Sequence, residues 1–210
     1  MTKRASFAPA IERIRIGNVF DLLLASTSRY RRELLERLGV PFRSRPPLVD
    51  EEPFKRLGLE PRRLAERLAR EKALSLADSE PTATIIGSDQ VAAVDAEILG
   101  KPGTAENAVE QLTRLSGREH TLLTAVAVWH RGSLWEHLAI ARLTMRPLHR
   151  DELARYVEAD SPLDCAGAYK LERRGVSLFA AIDCDDHSAI TGLPLIALTS
   201  HLRSLGYAIP

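Results

Sequence analysis

The sequence predicts an α/β protein with a mixed β-sheet flanked by helices, and two patterns carry that prediction. In the first half of the chain, apolar strand-like runs alternate with amphipathic helical segments, as in parallel βαβ units. In the second half, two long strand-like segments are joined by Arg131-Gly132, which indicates an antiparallel hairpin. Parallel and antiparallel pairing within one chain means a mixed sheet.

The predicted elements begin with a strand over residues 19–26 and a helix over residues 29–38, which Gly39 and Pro41 end. Tyr30 shares one face of that helix with the leucines at every fourth residue. The other predicted elements are strands over residues 42–45, 84–87, 91–94, 120–129, 133–145 and 175–182, and helices over residues 61–77, 104–115, 151–158 and 194–206.

Length and composition bound the domain organisation. A chain of 210 residues with 45% hydrophobic residues buries a substantial core, and it suits one domain with two lobes or two small domains. We interpret residues 1–18, which carry basic residues but no apolar segment, as a flexible N-terminal extension. A transit peptide is the alternative. Residues 19–210 are then a single domain.

Net charge and cysteine content limit the partners and the compartment. The net charge of +1 argues against a dedicated nucleic-acid binder, so any anion site must be a local cluster. Cys165 and Cys184 lack metal-site spacing and indicate a reducing, cytoplasmic environment without a disulfide framework. No apolar stretch reaches 18 residues, so we expect no membrane span.

The first strand–helix junction has the composition of an anion site. Ser26, Thr27 and Ser28 offer hydroxyls, and the helix that follows offers unpaired backbone N–H groups. Arg31 and Arg32 lie in the first helical turn, where the helix dipole disfavours cations. A phosphate bound there removes that conflict. A solvated, arginine-rich helix start is the alternative interpretation.

The helix predicted from Pro61 carries a lysine on its apolar side. Lys72 falls near the middle of the arc formed by Leu64, Leu68 and Leu76. An inward lysine either extends its ammonium to solvent, pairs with an acid or contacts a ligand.

Asp89 and Gln90 interrupt an apolar run that precedes and follows them. A solvent-facing turn is one interpretation, and a half-buried carboxylate with a partner or a metal is the other. Glu51 and Asp89 offer carboxylates of the kind that Mg²⁺ takes together with phosphate oxygens and water. Lys101, in a loop with glycine and proline, offers a further cation for a polyphosphate.

Common catalytic motifs are absent. The sequence has no P-loop, no dinucleotide-binding glycine motif, no H-E-x-x-H and no serine-nucleophile elbow. Its six histidines are scattered, and we assign none of them a ligand role. What remains is a set of loop cations and carboxylates suited to a metal-bound polyphosphate, which requires Lys72 and Asp89 to open into one crevice.

Several motifs, in order, resemble the Maf family of nucleotide pyrophosphatases over about residues 20–206. They lie at residues 24–35 (LASTSRYRRELL), 49–51 (VDE), 71–73 (EKA), 86–90 (IGSDQ), 100–102 (GKP), 165–172 (CAGAYKLE) and 192–195 (GLPL). The resemblance implies an elongated sheet with a central cleft between two lobes, similar to the inosine-triphosphatase fold. It also implies hydrolysis of a nucleoside triphosphate between the α- and β-phosphates, a divalent cation (Mg²⁺ or Mn²⁺) and a homodimer.

The same resemblance implies roles for single residues. Asp89 matches the residue regarded as the proton acceptor that activates water, although a carboxylate on a metal is a poor base and Asp89 is alternatively a ligand. The expected site therefore has catalytic Asp89, Glu51, Lys72 and Lys101, phosphate-binding Ser26, Ser28, Arg31 and Arg32, and the metal ligands Glu51 and Asp89.

Base specificity is expected from Tyr30, Gln90 and Glu172, which resemble the 7-methyl-GTP subfamily rather than the dTTP and UTP type. A cationic 7-methylguanine stacked on Tyr30 gains a cation–π term, and Glu172 can accept from the N1–H and N2–H edge of guanine. Packing in the core is the alternative role of Tyr30. The departures from the subfamily pattern are Arg29, Leu171 and Arg173-Arg174.

Two other functions stay open on the sequence. One is a dTTP or UTP pyrophosphatase of the same family, and the other is a nucleotide-binding regulator of cell division without catalysis. An RNA-end or anticodon binder is disfavoured, because the sequence shows no basic stripe.

Overall fold

The computed structural model describes residues 21–210, which form a seven-stranded mixed sheet flanked by helices. The strands are β1 (Leu22–Ala25), β2 (Arg43–Arg45), β3 (Thr84–Val94), β4 (Glu97–Leu99), β5 (Glu119–His130), β6 (Ser133–Met145) and β7 (Phe179–Asp183). The helices are α1 (Arg29–Glu36), α2 (Glu52–Arg56), α3 (Pro61–Leu74), α4 (Ala105–Leu115), α5 (Arg150–Asp160), α6 (His187–Ile190) and α7 (Leu195–Ser204), with a 3₁₀ helix at Arg174–Leu178.

The strand order is β2-β1-β3-β5-β6-β7, and β4 also pairs with β3. β1 runs parallel to β2 and β3, whereas β3, β5, β6 and β7 pair in antiparallel fashion. The three central strands are 11, 12 and 13 residues long, so the sheet is elongated. The predicted mixed α/β class is therefore confirmed, and the predicted hairpin of β5 and β6 has nearly the observed bounds.

One edge of β3 is only partly covered by other strands. β5 pairs with β3 along the opposite edge, from Thr84 to Ala93. On the partly covered edge, β1 pairs with residues 84–86 and β4 pairs with residues 92–94. Among the described residues, no strand pairs with residues 87–91 on this edge. The chain segments that leave β1 and β4 therefore flank an opening in the sheet.

The two faces of the sheet bury different clusters. On one face, α3 packs against apolar residues of β3 and β5. On the other face, one cluster includes α1 and α7, and a second includes α4 and α5. Polar Ser88, Gln90 and Thr124 lie between these two clusters, so the chain has two apolar lobes that meet at a polar belt. Within residues 21–210, no helix has both the length and the apolar character needed to cross a membrane.

α3 lies directly on β3 at Gly87. A Cβ atom at this position would lie 2.3 Å from the Ala69 carbonyl oxygen and 2.4 Å from the Ala73 nitrogen, so only glycine fits without movement of the backbone. Ala69 and Ala73 flank Lys72 on α3, and Gly87 precedes Asp89 by two residues. This close approach therefore sets the distance between the two charged side chains.

Several local predictions are wrong. The sequence predicts a break at residues 88–90, but β3 continues through them, because β5 pairs with each residue and their polar side chains have tertiary partners. α2 and α6 form where no helix is predicted. The strand predicted over residues 175–182 is a 3₁₀ helix followed by the shorter β7. The predicted extension over residues 1–18 and the predicted strand start at residues 19–20 lie outside the described residues.

Candidate active site

A cavity of about 790 Å³ opens beside the unpaired stretch of β3, a volume in the range of small-molecule sites. All but one of the predicted site residues line it: Ser26, Ser28, Tyr30, Arg31, Glu51, Lys72, Asp89, Gln90, Lys101 and Glu172. The exception is Arg32, which is exposed on α1 and is not part of the lining. The fold thus gathers side chains from both lobes into one crevice.

Lys72 bridges two carboxylates at one end of the cavity. Its Nζ lies 2.5 Å from Asp89 Oδ1 and 2.8 Å from Glu51 Oε1. Lys72 is 5% exposed and Asp89 is 9% exposed, so this pair is largely removed from water. Of the three interpretations that the sequence left open for Lys72, pairing with an acid is the one observed.

Glu51 joins this cluster from the residue before α2. Its Oε2 lies 3.3 Å from Lys55 Nζ, so the carboxylate contacts two ammonium groups. Burial raises the pKa of Glu51, but the hydrogen bonds and charges of Lys72 and Lys55 outweigh burial and hold the pKa below its ordinary value. Glu51 is therefore ionised at neutral pH, which is the form that a metal ligand or an ion-pair partner needs.

Arg31 enters the same end of the cavity from α1. Its Nε donates a 2.9 Å hydrogen bond to the Gly192 carbonyl, which also accepts a 3.0 Å bond from the Ser88 hydroxyl. Burial lowers the pKa of Arg31, and the charges of Asp89 and Glu51 counteract that effect. The guanidinium keeps its charge, and its fork is oriented by a backbone carbonyl from the C-terminal part of the chain.

The serines of the β1–α1 junction shape the start of the helix. Ser28 is the N-cap of α1 and its Oγ accepts from the Arg31 N–H at 3.4 Å, while Ser26 Oγ accepts from the Ser28 N–H at 3.1 Å. Each hydroxyl keeps its own O–H for donation to a ligand. Lys101 is exposed on the loop after β4, on the other side of the opening.

Tyr30 lies on the cavity wall, where its ring already meets a cation. The Arg29 guanidinium carbon is 4.7 Å from the ring centroid, and Arg29 Nη2 donates a 3.0 Å hydrogen bond to the Tyr30 hydroxyl. Tyr30 lines the cavity and is only partly buried rather than packed in the core, so stacking with a ligand uses the ring face that Arg29 does not cover.

Gln90 and Glu172 line the cavity from two different segments. Gln90 Nε2 donates to Thr124 Oγ1 at 2.9 Å and to the carbonyls of Ala189 and Ile190 at 2.9 and 3.0 Å. Its Oε1 makes no hydrogen bond within the described residues and is the atom left for a ligand. Glu172 is exposed at the rim, on the loop that precedes the 3₁₀ helix.

The carboxylates at this site suit a cation that takes some of its ligands from the protein and others from a substrate. Within residues 21–210, no group of three or more His, Cys, Asp or Glu side chains is arranged to hold a metal ion. Glu51 and Asp89 provide two carboxylates at the wall of the cavity. Mg²⁺ commonly takes one or two carboxylates and completes its shell with phosphate oxygens and water, so this donor set fits such an ion.

A family model described as Maf-like protein matches residues 21–205. The chain belongs to the Maf family. A relative in Xanthomonas campestris is 47% identical over 190 residues, which is 90% of this chain and 98% of the relative. One in Pseudomonas aeruginosa is 46% identical over 192 residues (90% and 99%), and one in Bdellovibrio bacteriovorus is 45% identical over 184 residues (88% and 96%). All three are named 7-methyl-GTP pyrophosphatase.

Some contacts of this Maf site were missed by sequence reasoning. The Gly192 carbonyl orients Arg31, Thr124 holds Gln90, and Tyr169 forms part of the cavity wall. The period-2 alternation of β5 places Thr124 on the same face as His120, and this alternation is the one feature of the sequence that indicates a shared role for the two residues. The register of β5 against β3, which brings Thr124 opposite Gln90, was not available from the sequence.

Proposed function

We propose that this Maf protein is a nucleoside triphosphate pyrophosphatase that hydrolyses the α–β phosphoanhydride of 7-methyl-GTP. The observation that carries the proposal is the convergence of Arg31, Lys72 and two carboxylates in a cavity that also contains Tyr30. The names of relatives at 45–47% identity support the substrate. The products are 7-methyl-GMP and pyrophosphate.

The cations of the cavity bind the triphosphate in this proposal. Arg31 and Lys101 donate to phosphate oxygens from opposite sides of the opening, and Ser26 and Ser28 add hydroxyl donors. These groups are in place before the reaction, so they stabilise the charge that develops on the departing pyrophosphate. Arg32 is exposed outside the lining, and its predicted phosphate contact stays a prediction.

Water attack on the α-phosphorus is the chemical step. The water oxygen forms a bond to phosphorus while the bond between phosphorus and the bridging oxygen breaks, and pyrophosphate departs with that electron pair. The Asp89 carboxylate accepts the proton of the water. Lys72 contacts both Asp89 and Glu51 and so holds the two carboxylates close together.

Glu51 and Asp89 are the residues that would hold Mg²⁺ or Mn²⁺. A bound divalent cation supplies neutralisation of phosphate charge and polarises phosphoryl oxygens. A carboxylate that contacts a cation is a weaker base, so Asp89 as proton acceptor and Asp89 as ligand are separate hypotheses. They differ in what the Asp89→Asn variant does to metal affinity.

Recognition of the base falls to other residues that line the cavity. The Tyr30 ring meets the Arg29 cation in the free protein, and a cationic 7-methylguanine can stack on the same ring. Glu172 accepts from the N1–H and N2–H edge of guanine, and Gln90 offers its Oε1. A homodimer and a cytoplasmic location stay predictions from the sequence.

A nucleotide panel tests the proposal. The purified protein is incubated with 7-methyl-GTP, GTP, dTTP or UTP and with Mg²⁺ or Mn²⁺, and pyrophosphate is assayed. We expect the highest kcat/KM with 7-methyl-GTP. A preference for dTTP or UTP would assign the protein to the other substrate type, and nucleotide binding without hydrolysis would favour the regulatory alternative.

The Asp89→Asn variant tests the proton acceptor. We expect it to lose turnover while it still binds 7-methyl-GTP, because the change removes charge without removing volume. Mn²⁺ affinity, measured with an α,β-methylene nucleotide, then separates the two roles. Unchanged affinity supports the proton acceptor, whereas a loss comparable to that in Glu51→Gln supports a ligand.

A further inference from the structure

The loop between α5 and the 3₁₀ helix forms one wall of the cavity. We call residues 164–173 the base loop, because this segment carries Glu172. Six of its residues line the cavity: Asp164, Cys165, Ala166, Tyr169, Leu171 and Glu172. Glu172 is exposed, so its position depends on how the rest of the loop is held.

A buried hydrogen bond ties the base loop to β5. His120 Nε2 lies 2.8 Å from the Tyr169 hydroxyl, and the two residues are 2% and 6% exposed. Their rings meet edge to face with centroids 5.4 Å apart, and the Tyr169 ring also packs edge to face on Phe179 at 4.9 Å. His120 Nδ1 is buried and has no partner within the described residues. The bond from Nε2 to the Tyr169 hydroxyl is therefore the one side-chain hydrogen bond of His120 among these residues.

The backbone of the base loop is folded around the Tyr169 ring. Gly167 and Ala168 have φ values of +85° and +60°, and a Cβ at Gly167 would lie 2.8 Å from Tyr169 Cε1. Lys170 follows, and its N–H donates to the Tyr156 hydroxyl at 2.9 Å. The loop is therefore pinned at residues 169 and 170, immediately before Leu171 and Glu172.

The same face of β5 also holds Gln90, the other residue of this pair expected to contact the base. Thr124 lies four residues after His120, on the same side of the strand, and its hydroxyl accepts from Gln90 Nε2. Thr124 also donates to the Ala189 carbonyl at 2.9 Å. Two residues expected to contact the base, Gln90 and Glu172, thus both depend on side chains from one strand face.

We propose that His120 is a positioning residue, which fixes the base loop and hence Glu172 through its hydrogen bond to the Tyr169 hydroxyl. This inference rests on the proposed function for its effect on selectivity. The structural part of the inference, that the bond holds the loop closed, is independent of the proposed function. Opening of the loop weakens the binding of a purine that needs the Glu172 carboxylate. It has little effect on the binding of a nucleotide that does not need this carboxylate.

The Tyr169→Phe variant removes the hydroxyl and keeps the ring. A control exists at the far end of β5, where Thr84 Oγ1 lies 2.8 Å from His130 Nδ1 and also bonds Tyr207, and none of these three residues lines the cavity. Thr84→Val therefore also removes a hydroxyl that is bonded to a histidine of β5. Comparison of the two variants separates loss of loop position from general destabilisation.

The rate of tryptic cleavage measures how readily the base loop opens, without any nucleotide present. Arg173 and Arg174 are exposed and directly follow Glu172. In the full-length protein we expect Tyr169→Phe to raise the rate of cleavage at these two sites by about tenfold, the size expected for loss of one buried hydrogen bond. Thr84→Val should stay close to the wild-type rate at these sites.

Selectivity reports the consequence for the site. We expect the ratio of kcat/KM for 7-methyl-GTP to that for UTP to fall by about tenfold in Tyr169→Phe, mainly through KM for 7-methyl-GTP. His120→Leu should show the same loss. His120→Gln, which can still bond the Tyr169 hydroxyl, should recover most of the ratio.

Each arm has an outcome that overturns the inference. Wild-type cleavage and a wild-type ratio in Tyr169→Phe would do so, and so would equal losses in Tyr169→Phe and Thr84→Val. If the wild-type protein hydrolyses none of the nucleotides, the proposed function fails. The tryptic rates then still decide whether Tyr169 holds the loop.

Discussion

Two sets of residues in the cavity are held in place by different interactions, and we call the set around Lys72 the phosphate end and the set expected to contact the base the base end. At the phosphate end, Glu51, Lys72 and Asp89 come from three separate segments and are fixed by pairing with one another. At the base end, Gln90 and Tyr169 are fixed by neutral partners on β5. The groups proposed to do the chemistry at the first end are also its scaffold. At the second end, the scaffold lies behind the groups that would meet the substrate.

This difference predicts different responses to mutation. Removal of one member of a buried ion cluster leaves its partners charged and unpaired, which costs far more than the pair contributes. Removal of one neutral hydrogen bond costs about 1 kcal/mol and leaves no charge behind. Changes at the phosphate end should therefore reduce turnover steeply, and changes at the base end should reorder substrates.

Lys72→Met should have the largest effect. Methionine nearly preserves the volume but leaves Glu51 and Asp89 in mutual repulsion, so we expect kcat/KM for 7-methyl-GTP to fall by about 10²–10³-fold. Lys55→Met is the matched control, because Lys55 also pairs with Glu51 but its side chain is 46% exposed. We expect a loss of less than about fivefold there. Similar losses in both variants would contradict a special role for the buried ammonium.

Gly87→Ala should come second, because it acts on the same cluster through the backbone. The added Cβ collides with the Ala69 carbonyl oxygen and the Ala73 nitrogen, so α3 must move away from β3. We expect a loss of about 2–3 kcal/mol in the free energy of unfolding, measured in urea, together with reduced turnover. Gly100→Ala is the control for stability, since a Cβ there meets nothing within 4 Å. An unchanged unfolding midpoint in Gly87→Ala would show that α3 adjusts freely.

The sequence predicted the local parts of this arrangement well. The 3.6-residue period placed Lys72 on the buried side of α3, and the hairpin of β5 and β6 followed from alternation and a turn. What it could not show were partners remote in the chain. The polar residues at 88–90 suggested a break, yet β3 continues, because Lys72, the Ala125 carbonyl and Thr124 satisfy their side chains. The bond from Arg31 to the Gly192 carbonyl likewise joins opposite ends of the described chain.

Glu172→Gln should have a moderate effect, confined to the choice of base. The amide keeps one acceptor but loses the charge, and a charge-assisted hydrogen bond is about twice as strong as a neutral one. We expect the preference for 7-methyl-GTP over UTP to fall by about fivefold, with kcat on UTP unchanged.

Tyr30→Ala should lower the same preference through loss of stacking. Glu36→Gln, on the exposed side of α1, is the control, and an unchanged ranking in both site variants would refute the two assignments.

His120→Gln should have the smallest effect at neutral pH, because the amide can still bond the Tyr169 hydroxyl, and a distinct effect in acid. Burial lowers the pKa of His120 from 6.5 to about 4, so between these values the unfolded chain binds a proton that the folded chain does not. The free energy of unfolding should therefore fall as the pH decreases through this window, by up to about 3 kcal/mol, and it should be at its full value above the upper limit. His120→Gln removes the titrating group and should flatten this part of the profile in urea unfolding. The control His137→Gln changes an exposed histidine and should keep the wild-type slope. If the profiles of wild type and His120→Gln were parallel, His120 would titrate alike in both states, and the base end would not rest on a buried neutral histidine.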